Sequence, residues 1–235
     1  MNVIIVASRP VTAFDLAKTE TVVRLLAVPA EARDDAWVAS FYAAAPDASM
    51  ASGEPQVVHG PDGFPYFMLT VPPVGEGFSA FSVNHVLDLC TERGHGCVLS
   101  GDGGAPWVFT YGNLWSLRAF GSFDTRPPGA VRREPPPGAP LLTASPSDEL
   151  VPPWARAVLR SWLAFVGVAD PGVVLVVDGE GYGTAPADWL SFSVFPDQFD
   201  DPARFEDVMN RLHWFLPPRF AVLGVQRGVF EYGPL

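Results

Sequence analysis

The chain has 235 residues, 48% of them hydrophobic and only 17% charged, with seven Trp and 17 Phe; this is ample core material and excludes a disordered chain. Its formal net charge of −11 would be repelled by a phosphate backbone, which excludes general nucleic-acid binding and favours a basic protein partner. Two Cys supply no disulfide framework, and no apolar run reaches the roughly 20 residues of a membrane helix, so the expectation is a cytoplasmic protein with no membrane partner.

MNVIIVASRP at the start lacks a basic region and a small-residue cleavage site, and reads as a first strand rather than a signal peptide. Trp37, Phe41 and Ala45 then fall in helical step. PQVVHGPDG (55–63) reads as a strand running into a Gly-rich turn, and PYFMLTVPP (65–73) as a strand closed by proline. In FSVNHVLDLCTERG, Val83, Val86, Leu87 and Cys90 recur at three- and four-residue spacing, and Gly94 is placed to cap the helix. GCVLS (96–100), the turn GDGGAP and WVFTYGNL (107–114) make a hairpin ending on Tyr-Gly.

YGNLWSLRAFGSF (111–123) exceeds what a strand end requires. Tyr111, Trp115, Arg118, Phe120 and Phe123 are the residue types that dominate interface hot spots, although they also suit packing at the root of the next segment. That segment, TRPPGAVRREPPPGAP (125–140), has six prolines and reads as a stiff, extended linker carrying Arg126, Arg132 and Arg133.

After Pro153, Trp154, Val158, Trp162 and Phe165 fall in step and predict a helix. GVVLVVDGEGYG (172–183) and DWLSFSVFP (188–196) are a strand into a turn and a second strand closed by proline. A helix follows through Phe205, Val208, Met209 and Leu212, with Asp201 as N-cap, Pro202 at its first position and Pro217 and Pro218 as its stop. FAVLGV (220–225), a tight QRG turn and GVFEYGPL (228–235) repeat the earlier hairpin.

The order α-β-β-α-β-β therefore occurs twice, with several matching features 124 residues apart. The chain reads as an α+β protein with an internal duplication of an α-β-β-α-β-β unit, its sheets mainly antiparallel with helices packed on one face. The units are residues 1–124 and 141–235, joined by the linker 125–140.

Phe41-Tyr42, the turn His59-Gly60-Pro61-Asp62-Gly63 and the helix running into Gly94-His95-Gly96-Cys97-Val98-Leu99 resemble the N-terminal domain of the SseB family, named for enhanced serine sensitivity. LLTASPSDELVPPWARAVLRSWL (141–163) is similar to the segment that opens that family's C-terminal domain. Where a family strand commonly leads into an Asn-Pro-Gly turn, Ser100-Gly101-Asp102-Gly103 stands here. The resemblance implies a cytoplasmic protein without assigned enzymatic activity, and no catalytic residue carries over.

The chemistry-bearing residues favour structural roles. Cys90, His95 and Cys97 are soft ligands within eight residues, but zinc sites want paired spacings and four ligands, so the two thiols read as small core residues and no metal is expected. GEGYG (179–183) lacks both the dinucleotide spacing and a following helix, so no cofactor is expected. His59 lies beside Asp62 in a loop and reads as a hydrogen-bonding group before a general base. Asp197, Asp200, Asp201, Glu206 and Asp207 form the densest acidic cluster; they complement a helix start, and a basic partner would be drawn there first.

The favoured reading is a non-enzymatic protein-interaction module, adaptor-like, chaperone-like or immunity-type, presenting an acidic surface to a basic protein. Tyr111, Trp115, Arg118, Phe120, Phe123, Asp197, Asp200 and Asp201 are its candidate contacts. The alternative is an enzyme or small-molecule sensor with a site at the seam between units, where His59 and Asp62 would meet Asp178 or Glu180.

Overall fold

The computed structural model describes residues 15–73, 75, 77–101, 103–123, 140–179 and 189–235. These group into two units, one of residues 15–114 with 120–123 and one of residues 115–119 with 140–235. The expected strand at MNVIIVASRP, the linker as far as residue 139 and the GEGYG turn from Glu180 onward lie outside the described residues.

The described part of the first unit opens with a helix the sequence reading did not include. In α1 (Leu16–Leu26), Asp15 caps the start by accepting from the Lys18 amide, and Thr19, Val22 and Leu26 are buried. Only one short stripe of this helix is apolar, which is why polar LAKTET hid it. In α2 (Asp35–Ala44), Asp34 accepts from the Trp37 amide, and Trp37 stacks on Phe41 at 4.8 Å. Asp47 ties three segments together: Lys18 Nζ donates to one carboxylate oxygen at 2.6 Å and Asn84 Nδ2 to the other at 2.7 Å.

Five strands follow: β1 (Met50–His59), β2 (Pro65–Thr70), β3 (Ala80–Phe81), β4 (Gly96–Ser100) and β5 (Trp107–Phe109), in sheet order β3-β1-β2-β4-β5. Pro55 sits where the β1–β2 ladder is interrupted, between Ser52 and Val57, a position where its missing N–H removes no ladder bond. β2 and β4 are parallel, so a crossover must join them, and α3 (Val83–Arg93) is that crossover. Ser82 caps α3 and Gly94, at φ 72°, ends it as expected. Phe67, Cys97 and Phe109 stand in one cross-strand row and are fully buried.

The second unit contains β6 (Leu141–Ala144), α5 (Pro153–Phe165), β7 (Gly172–Asp178), β8 (Trp189–Phe192), α6 (Pro202–Phe215), β9 (Ala221–Val222) and β10 (Gly233–Pro234). Its sheet runs β10-β7-β8-β9, with β6 also paired to β7. β7 and β8 are antiparallel, β8 and β9 parallel, and α6 is the crossover, starting on the expected cap Asp201. Both sheets are thus mixed: their pairs are mainly antiparallel, as expected, and the parallel exception in each is the pair a helix spans, because a helical crossover returns the chain in the same direction.

One expectation is corrected. GVFEYGPL does not return along β9 as a hairpin strand; its Gly233 and Pro234 pair with Val173 and Gly172 on the far edge of β7. Phe230 and Tyr232 instead pack on Val174, Val176, Trp189 and Ala221, so covering this apolar face takes precedence over pairing along β9. The helix expected after Pro153 forms as α5, with Ala155, Leu159 and Leu163 as its buried stripe, while Trp154, Val158 and Trp162 are half-buried and Phe165 is exposed. Both sets have helical spacing, and the narrower side chains take the side that packs inward.

Candidate interaction surface

The aromatic strip lies on α4 (Tyr111–Phe120), a helix rather than a strand end. Its start is built by Thr110 and Asn113: the Thr110 amide donates to Asn113 Oδ1 at 2.9 Å and the Asn113 amide to Thr110 Oγ1 at 3.2 Å. Tyr111 is fully buried and donates from its hydroxyl to Thr91 O at 2.9 Å. Phe123 is buried on Phe109, ring centroids 4.5 Å apart, and against Tyr42. Trp115, also fully buried, meets Trp154 edge-on at 5.7 Å, and the Arg118 guanidinium lies 4.7 Å over the same Trp154 ring. Of the five strip residues Phe120 presents the most ring to solvent, at 36% exposed. The strip is therefore spread over two units and largely spent on packing.

The acidic cluster is also partly committed. Arg227 grips Asp197 with two bonds of 2.9 and 3.1 Å and lies 4.4 Å over the Phe195 ring. That fork holds the Asp197 carboxyl below its ordinary range. Asp201 accepts from the Ala203 amide at 2.9 Å as the cap of α6, and Asp207 accepts from Arg211 at 2.8 Å. Asp200 and Glu206 are exposed beside them.

A further apolar surface is the outward, less buried stripe of α5. Trp154, Val158 and Trp162 are half-buried along it, and Phe165 at its end is 85% exposed. Trp162 packs on Phe215 in a tilted pair, ring centroids 4.7 Å apart, and Arg204 donates to Val166 O at 3.2 Å, which sets the first turn of α6, with Asp200 and Asp201 before it, close to the end of α5. The signal for this in the sequence is the second apolar stripe, Ala155, Leu159 and Leu163. A helix with two apolar stripes and one sheet to cover buries only one of them.

The remaining chemical candidates sit in structural roles. Asp62 accepts from the Phe64 amide at 3.0 Å and from the Tyr66 hydroxyl at 2.5 Å, closing the His59–Gly63 turn. Of Asp178 the structure describes the backbone, paired with Leu141, and Glu180 lies outside the described residues. Burial pushes the Cys90 thiol up to about 12 and raises Cys97 well above its ordinary value, so both are unreactive thiols. Burial, with Arg93 and His59 nearby, lowers the His95 pKa and keeps that ring neutral. Among the described residues no group of three His, Cys, Asp or Glu is arranged to hold a metal ion, and no helix is long and apolar enough to cross a membrane.

Compared with known proteins, the chain matches no family model, no curated protein and no solved structure.

Proposed function

We propose that the protein is a non-enzymatic, cytoplasmic interaction module, built by duplication of an SseB-like α-β-β-α-β-β unit, that binds a protein partner through the outward stripe of α5 and the acidic residues before α6. The observation that carries this reading is Phe165. A phenylalanine ring 85% exposed at the end of a half-buried aromatic stripe has the anatomy of an interface anchor, with Asp200 and Glu206 as a polar rim suited to a basic partner. Supporting the duplication, each unit has an antiparallel strand pair followed by a helical crossover to a parallel strand, β1-β2-α3-β4 in one and β7-β8-α6-β9 in the other.

The test is capture from lysate of the source organism by the wild-type chain and by the Phe165→Ser chain, with cross-linking and mass spectrometry. A basic protein cross-linked near residues 162–166 or 200–206, and lost from the Phe165→Ser bait, is the expected result. A partner set that Phe165→Ser leaves unchanged would move the interface away from α5.

A further inference from the structure

Residues 224–235 contain no helix and only the two-residue β10, yet they complete the second unit. After β9 the chain turns at Gln226–Val229, where the Val229 amide donates to Gln226 O, and then lays Phe230 and Tyr232 on Val174, Val176, Trp189 and Ala221. Its far end is held at four points. Gly233 and Pro234 pair with Val173 and Gly172. The Leu235 amide donates to Pro171 O, and its side chain is buried. The Tyr232 hydroxyl lies 3.0 Å from Oγ of the fully buried Ser191. Arg156 donates from Nη1 to Pro234 O at 3.3 Å while its Nε and Nη2 hold Val151 O and Pro146 O. Gly172 permits the close approach, since a Cβ there would stand 2.8 Å from both Gly233 O and Tyr232 Cβ.

These features make a receptor for a short extended segment: two residues of strand edge, Gly172 and Val173, left beside the length of β7 that β6 holds, a hydroxyl partner for tyrosine, a buried seat for leucine and a guanidinium aimed at a carbonyl. Strand addition works this way, with the ladder supplying affinity and alternate side chains supplying specificity. None of the four points of attachment involves residues 224–229, which only carry the segment there from β9. The geometry points to a peptide-binding groove along β7 that the chain fills with its own residues 230–235. A separate extended segment of the same chemistry, aromatic-x-Tyr-Gly-x-Leu, fills it when that strap is out.

Two measurements decide this. The first is native-state hydrogen exchange on the wild-type chain. The Gly233 and Leu235 amides are expected to exchange at least about tenfold faster than those of β8, because the strap opens while the sheet stays folded. The second uses the full chain carrying Tyr232→Ala and Leu235→Ala, which weakens the strap and leaves the groove intact, with a labelled synthetic peptide of residues 226–235 as probe. This variant is expected to bind the peptide at least about tenfold more tightly than the wild type, whose groove is occupied, and to melt higher in its presence. Adding Gly172→Val should abolish capture. A folded double variant that takes up no peptide at millimolar concentration overturns the proposal. If the double variant does not fold, exchange decides alone: strap amides that exchange only together with those of β8 overturn it.

Discussion

At the scale of single residues, the sequence motifs that survive are those whose chemistry acts within a few positions. Asp201 is one: its carboxylate reaches the Ala203 amide, and Pro202 begins α6 without an N–H to satisfy. Asp201→Ala should lower unfolding stability by about 1 kcal/mol, read from the urea midpoint, whereas Asp200→Ala should change it by less than about 0.5 kcal/mol. His95 is the second. Its pKa lies below the ordinary 6.5 because burial and the nearby Arg93 and His59 disfavour the imidazolium. The unfolded chain therefore takes up a proton first as pH falls. The contribution of His95 is complete above pH 6.5 and declines as pH drops through 6.5 toward the folded value. Urea titrations at neutral pH and at a pH about one unit below 6.5 should show this loss, and His95→Gln should flatten it; an unchanged slope in His95→Gln would assign the loss to another group. Asp47, held low by its bond to Lys18, contributes fully above pH 3.8 and loses that contribution in a separate window as pH falls below it.

At the scale of elements, α5 shows how two helical stripes are sorted. Leu159 is fully buried and Phe165 is not. Leu159→Ala should cost about 2–5 kcal/mol, and Phe165→Ser less than about 0.5 kcal/mol, in the same denaturation assay. A large loss for Phe165→Ser would mean that its ring contributes to folding and would remove the argument for an interface anchor. The shared phrase shows a different kind of sorting. WVFTYGNL continues into helix α4 because Thr110 and Asn113 cap one another's backbone, whereas Glu231 and Pro234 stand at the matching places of GVFEYGPL and cannot make that pair. The same aromatic letters therefore start a helix in one place and form a strap in the other.

At the scale of the whole chain, the legible features were the local ones. Both crossover helices and the strands around them follow from spacing and from Gly94, Asp201 and Pro202, which act on neighbouring backbone. The path of residues 224–235 was not legible, because it depends on an apolar face that exists only after β7, β8 and β9 have assembled. Tyr111, Trp115 and Phe123 were ambiguous for the same reason, since hot-spot residue types and core residue types coincide. Phe165 could be found only by asking which of two stripes a single sheet would leave uncovered.

The position of β10 beside β7 also governs the order in which the second unit can form. In the first unit β5 closes on β4 through a short turn, with Cys97 opposite Phe109. In the second, the Arg156 guanidinium and the Pro234 carbonyl it holds are 78 residues apart. Chain entropy makes such a closure slow, because nothing is gained until the distant ends meet. A second unit in which it has not been made would leave Trp189 and Val176 without the cover of Phe230 and Tyr232. Two units of one strand-and-helix plan should therefore refold on different clocks, the first by local zipping and the second by a late long-range closure.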